Sequence, residues 1–251
     1  MGLVLWPPAG EGSEAEGLVA RAFGTGIADL MVDFGRPQGS VVGAVLQACL
    51  STPEGGSIPG SEIAGWTLAR RRQGLIAVAV ATNGPRRFLT VECPDPACGE
   101  KLDMEFDLTA FRQDWRQADI PFEGGRLRLP TPADLSELGD APPERLAHIL
   151  FEGTPPAREG WQADAEAALA EADPLGDLEL RAACPGCGGE VTEPMVLESF
   201  LLDELSREAT RLMDEIHVLA FAYHWTEPDI MALPEARRRH YLARIWEAWA
   251  A

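Results

Sequence analysis

An α+β fold is predicted for this chain by three observations. Two strand patterns of period two each run straight into a pair of cysteines. A mostly helical stretch separates the two pairs. A stripe of apolar residues at spacings of three and four follows the second pair.

The chain has 251 residues, 46% of them apolar, enough to bury a core in one domain or in one with appendages. Its net charge of −19 repels phosphate backbones and anionic membrane surfaces, so basic or polar protein surfaces are the expected partners. Lys101 is the only lysine, which removes most lysine chemistry.

Residues 1–17 are rich in Gly, Pro and Glu and read as a loose lead-in. They lack the basic and apolar regions of a signal peptide. The longest purely apolar run, Leu75–Ala81, is far too short to span a membrane, so a cytosolic chain with reduced thiols is expected.

Leu18–Phe23 and Val41–Leu50 carry short helical patterns, and Ser51–Gly60 is a loop. One helix is predicted over 61–81, stopped by Asn83-Gly84-Pro85. Phe88–Glu92 is strand-like and leads into Cys93. After Cys98, Leu102, Met104, Phe106 and Leu108 alternate with Lys101, Asp103, Glu105 and Asp107, the pattern of a half-buried strand. Leu178, Leu180 and Ala182 alternate into Cys184, and Val191–Leu197 reads as the returning strand, with Pro194 marking an edge.

Between the knuckles, about 109–175, a helical insertion is expected. Arg126–Leu129 is a short strand, Thr131-Pro132-Ala133-Asp134 starts a helix, and Pro143–Phe151 and Gln162–Glu171 are further helices. Downstream, Leu201, Leu205, Ala209, Leu212, Ile216, Leu219 and Tyr223 line a long amphipathic helix. Thr226–Asp229 starts a short helix and Pro234 opens the last, with Tyr241, Leu242, Ile245 and Trp249 on one face. Three units result: a helical segment with its lead-in (1–86), an interrupted two-hairpin unit (87–197) and a C-terminal helical segment (198–251).

Four residues separate Cys93 from Cys98, and two separate Cys184 from Cys187. Thiolates presented by two tight turns can converge into the tetrahedron that zinc accepts, and strands flank both turns as in a zinc ribbon. Gly99 and Gly188 follow the second cysteine of each pair, where the backbone must turn beneath a metal. The metal ligands expected are therefore Cys93, Cys98, Cys184 and Cys187, around one structural Zn2+. Two disulfides or idle thiols are the alternatives. Four protein ligands leave no position for substrate, so this zinc would hold a fold together. Cys49, in an apolar helical pattern, is expected to be a buried inert thiol.

Other chemistry finds little support. His217 and His224 could share a helix face near Asp214 and Glu215, although lone helical histidines are usually packed or solvated. Gly24-Thr25-Gly26 lacks the third glycine of a dinucleotide loop, and neither a Walker A lysine nor a nucleophile-elbow serine is present. No catalytic residue is assigned and an enzyme is not expected. Arg70–Arg72, Arg86–Arg87 and Arg237–Arg239 read as solvated faces or as partners of the chain's carboxylates rather than as a nucleic-acid surface.

Several segments occur together in order. The first knuckle is followed by LDMEFDL and RLRLPTPADL. EADPLGDLELRAACPGCG, DEIHVLAFAYHW and TEPDIMALPEARRRHYL come after it. Over roughly residues 62–243 this resembles the T-even-type bacteriophage baseplate (hub assembly) protein family, also found in prophages and contractile injection systems. The resemblance implies a non-catalytic, structural or chaperone-like role in a contractile tail, in the bacterial cytoplasm or carried into the assembled particle. Other baseplate, hub or tail proteins would be the partners. It also maps the family's paired cysteines onto Cys93, Cys98, Cys184 and Cys187, although the first knuckle is wider than the family's. His217, Ala220, Tyr223, Trp225 and Glu227 match as well and read as helix packing and a docking surface. The C-terminal aromatics Tyr223, Trp225, Tyr241, Trp246 and Trp249 would supply contacts there. A zinc-ribbon nucleic-acid-binding or transcription-associated protein is the alternative.

Overall fold

The structure is a computed structural model and describes residues 4–6 (backbone only), 17–111, 119–142 and 144–250. The expected loose lead-in lies outside the described residues, apart from residue 17 and a strand, β1 (Val4–Trp6). β1 pairs with β2 (Leu18–Ala20), where a helical pattern was expected. A short apolar run suits a buried strand as well as a helix by periodicity alone. Here all three β2 residues are buried, and β2 is sandwiched between β1 and a later strand.

Helix α1 (Gln38–Cys49) follows, and then β3 (Leu50–Ser51), which closes an antiparallel sheet in the order β1-β2-β3. The single helix expected over 61–81 is two, α2 (Gly60–Ala64) and α3 (Leu68–Asn83). The break falls where Thr67 takes an extended backbone and its hydroxyl accepts from the Arg70 amide at 3.2 Å, capping α3. Gly84, at φ +77°, stops α3, and its amide donates to the Val80 carbonyl.

Next comes a hairpin of β4 (Arg86–Glu92) and β5 (Lys101–Asp107), in register from Arg86 opposite Asp107 to Glu92 opposite Lys101. Leu102 and Met104 are buried and Phe106 is half-buried; Lys101, Asp103, Glu105 and Asp107 are exposed. Leu108, expected to end this strand, instead opens a 3-10 turn (Leu108–Phe111) and is fully buried in the main core.

The insertion is mixed, not helical. β6 (Asp119–Phe122) and β7 (Gly125–Arg128) precede helices α4 (Pro132–Leu138) and α5 (Glu144–Leu150); β8 (Phe151–Gly153) and helix α6 (Trp161–Ala172) follow. The strands form an antiparallel sheet in the order β6-β7-β8. Strand β8 takes the end of the helix expected over 143–151, because Phe151 pairs with Leu127 and joins a small core of Leu127, Ala147, Trp161 and Ala165. The backbones approach so closely there that a Cβ on Gly125 would lie 2.1 Å from the Glu152 carbonyl oxygen. At the start of α4, Asp134 closes a capping box with Thr131. It also accepts two 2.6 Å bonds from the Arg128 guanidinium, which holds its carboxyl well below the usual range.

The second hairpin pairs β9 (Leu178–Ala183) with β10 (Glu190–Met195), Ala183 opposite Glu190. Leu197, expected in the returning strand, begins the long helix α7 (Leu197–Tyr223). Leu201, Leu205, Leu212 and Leu219 on its stripe are fully buried. Its first half joins α1 and α3 in the main core; its second half packs on α8 (Glu227–Met231) and α9 (Glu235–Ala250) through Ile216, Ile230 and Ile245.

Half of the arginines in the three clusters turn inward: Arg71, Arg72, Arg87 and Arg238 are buried, whereas Arg86, Arg237 and Arg239 are exposed. Arg72 pairs with Asp173 at 2.7 Å, Arg87 with Glu204 at 2.8 Å and Arg238 with Glu215 at 3.2 Å. These pairs tie α3 to the end of the insertion, β4 to α7, and α9 to α7. No helix among the described residues is long and apolar enough to cross a membrane.

Candidate metal centre

The turns of the two hairpins face each other. The sulfurs of Cys93, Cys98, Cys184 and Cys187 all lie within 4.8 Å of one another. Cys93 stands 3.7 Å from Cys187, and Cys98 stands 3.7 Å from Cys184. A tetrahedral ion with metal–sulfur bonds of ~2.3 Å places its sulfurs ~3.8 Å apart, so the donor set fits such an ion. Among the described residues this is the only group of His, Cys, Asp or Glu so arranged.

The knuckles are built alike. The amide of Cys93 donates to the Glu100 carbonyl, and that of Cys184 to the Gly189 carbonyl, each at 2.8 Å. In both cases the acceptor lies two positions past the second cysteine. Gly99 and Gly188 then take φ of +60° and +73°, a region costly for any side chain. The two extra residues of the first knuckle are absorbed by Asp95. Its carbonyl accepts from the amides of Cys98 and Gly99, and its carboxylate accepts from the Ala97 amide at 2.9 Å. Asp95 went unnoticed in the sequence, although an aspartate followed by proline is a turn signal. Gly186 was also missed: a Cβ there would lie 3.1 Å from the Cys98 sulfur.

Beneath the thiols the hairpins share a small core. Val91, Leu102 and Met104 come from the first and Val191 from the second, with Leu180 and Ala182 against them. Cys93 and Cys184 are buried within it, Cys98 is half-buried and Cys187 is exposed. Phe106 on β5 meets Phe200 on α7 with ring centroids 5.8 Å apart, which couples the first hairpin to the main core.

Electrostatics at the centre favour a cation. Backbone amides of Cys187 and Gly186 point at the Cys184 sulfur and lower its pKa to about 7 against the opposing effect of burial. Cys93 is helped in the same way by the Asp95 amide, but burial and the three neighbouring sulfurs outweigh it and push the thiol up to about 12. Four thiolates crowd their charge into one place, and a bound cation would relieve the repulsion.

The other candidates do not gather into a site. Cys49 is buried, 3.8 Å from the Asp29 carboxylate, and burial pushes its thiol up to about 12. Asp29 is itself held by two bonds from Arg21. His217 is exposed, while Glu215 beside it is buried and bonded to Arg211 and Arg238. His224 caps α7 with φ +56°. Tyr223, Trp225 and Tyr241 form a compact aromatic cluster, whereas Trp246 and Trp249 are exposed. No family model, no curated protein and no solved structure matches the chain.

Proposed function

We propose that this chain is a non-catalytic structural or assembly protein whose four cysteines hold one structural Zn2+ in a zinc ribbon, interrupted by the insertion between β5 and β9. The convergence of four sulfurs from two hairpins carries this reading. Zinc suits an all-thiolate tetrahedron, and four protein ligands leave no open position for water or substrate. Such a site can supply on the order of 10 kcal/mol of apparent folding free energy, comparable to the whole stability of a domain. Its task here is to cross-link two hairpins remote in sequence and so brace the surface on which α7, α8 and α9 are displayed.

The biological setting rests on the sequence resemblance over residues 62–243. In this reading the protein helps build the baseplate or hub of a contractile phage tail or a related injection system, and its partners are other tail proteins. The inward pairing of Arg72, Arg87 and Arg238 supports a protein partner over the alternative, a nucleic-acid-binding ribbon, because those cations are already neutralised inside the fold.

Two measurements test the proposal. Metal analysis of the purified, reduced chain should return one zinc per molecule; absence of stoichiometric metal ends the structural-zinc reading. Affinity purification from cells assembling the particle should recover baseplate or hub proteins. Recovery of nucleic acid alone would overturn the tail assignment.

A further inference from the structure

Of the four buried arginines, Arg72, Arg87 and Arg238 each meet a carboxylate and Arg71 does not. Arg71, on α3, is 5% exposed; its guanidinium donates to the Gly39 carbonyl on α1 and forms no ion pair among the described residues. A glycine on α1 makes room for it, since a Cβ on Gly43 would lie 3.2 Å from the Arg71 Nη2. Glu198 attracts the guanidinium through space, but that carboxylate is engaged by Arg72 at 3.4 Å and accepts from the Gln38 amide at 3.5 Å. Burial lowers the pKa of Arg71, and the attraction of Glu198 does not offset it. Arg128 and Arg211, bonded to carboxylates, shift upward instead. A buried cation in this condition is one that an anion would stabilise.

Arg71 lines a groove of about 800 Å³ bordered by α1, α2, α3, α4 and the start of α7, and Arg71 and Glu198 are its only charged lining residues. The N-terminus of α1 opens onto the same groove. Pro37 offers no side-chain cap there, the first turn holds no acid, and the amides of Gln38 and Gly39 have no acceptor within the helix. The rest of the lining is largely apolar. Val42, Ile63 and Leu68 belong to it, as do Leu135 and Val196, which remain 43% and 68% exposed.

We infer that this groove binds the C-terminus of another polypeptide, with the terminal carboxylate on the Arg71 guanidinium and the first amides of α1, and an apolar last side chain beside Leu135 and Val196. Guanidinium forks and free helix amides are the groups that hold a carboxylate best. A phosphate would press a second negative charge towards Glu198 and gain nothing from the apolar lining. A fatty acid would fill that lining but cover Ser40 and Gln47, whose side chains also face the groove and make no hydrogen bond among the described residues. A peptide backbone supplies donors and acceptors to both. The volume falls in the range of sites that hold small ligands, so it suits the end of a chain rather than a folded surface.

The inference uses neither the metal centre nor the tail setting, so its failure leaves both standing. The test titrates the full chain, as purified, into labelled short peptides ending in leucine, valine or phenylalanine, each made as the free acid and as the amide. Anisotropy should show at least one free acid binding, with its amide at least ~10-fold weaker. In Arg71→Gln the preference for acid over amide should vanish, a selective change that loss of a merely structural arginine would not produce. Val196→Glu, at an exposed position, should weaken the acid by ~10-fold with the thermal midpoint unchanged, and it carries the test should Arg71→Gln fail to fold. Equal binding of acid and amide, or no binding by any of the three acids, would overturn the inference. An acid preference that survives Arg71→Gln would overturn it too. So would displacement of the peptide by an equal concentration of inorganic phosphate, or by dodecanoate more readily than by the unlabelled peptide acid, since either result assigns the groove to another ligand.

Discussion

Cys98 and Cys184 are 86 positions apart in the chain, yet their sulfurs lie 3.7 Å apart. No covalent bond joins them, so the two hairpins are held at this point by packing alone unless a metal bridges the sulfurs. Cys184→Ser should therefore abolish stoichiometric metal and lower stability by at least ~5 kcal/mol, a large share of what a structural zinc supplies. Elemental analysis and denaturant unfolding check this. A strong chelator added to the wild type should reproduce the loss, and an unfolding curve that ignores the chelator would argue against a structural metal.

Metal uptake should be proton-linked, with a definite sign. Thiol ligands must shed their protons on binding. In the metal-free fold Cys184 titrates near 7, because the Cys187 amide supports its thiolate, whereas Cys93 is pushed up to about 12. At neutral pH the metal must displace protons, so affinity rises with pH. Below 7 even Cys184 is protonated, and affinity should fall ~10-fold or more per pH unit. Competition with a chromophoric chelator between pH 6 and 8, about the span that brackets Cys184, measures the slope. A flat profile would exclude thiolate ligation.

Gly186→Ala tests how tightly the knuckles interlock. The new Cβ would sit 3.1 Å from the Cys98 sulfur and 3.3 Å from the Glu100 Cβ, so the first knuckle must move. Metal affinity should drop by ~10-fold or more while the helices remain folded. Gly188→Ala strains the backbone at φ +73° without any such contact, and should cost about 1 kcal/mol.

Glu204→Gln should be among the most damaging substitutions away from the cysteines. It leaves the Arg87 guanidinium, 4% exposed as a residue, with no carboxylate opposite it. Breaking a buried pair costs about 3–5 kcal/mol. Asp33→Asn, at the exposed pair with Arg36, should stay within ~0.5 kcal/mol. Urea unfolding of the two variants side by side gives the contrast.

Much of the local structure was legible in the residues. The alternation from Lys101 to Asp107, the Thr131–Asp134 cap and the Asn83-Gly84 stop encode their conformations through neighbours within a few positions. The spacing of the four cysteines likewise named the candidate ligands. The sequence by itself determined those turns, caps and strand faces, because side-chain sterics and local hydrogen bonds act over a few residues.

Tertiary structure decided the rest. Leu18–Ala20 became a strand because β1 and β3 supply its ladder, and Phe151 left its helical pattern to pair with Leu127. Which of two aromatic sets would be covered, and which carboxylate would meet Arg72, Arg87 or Arg238, depended on elements far away in the chain. So did the meeting of Cys93 with Cys187 and of Cys98 with Cys184. Burial and pairing between distant segments are settled by the free energy of the packed whole, which no short stretch of residues contains.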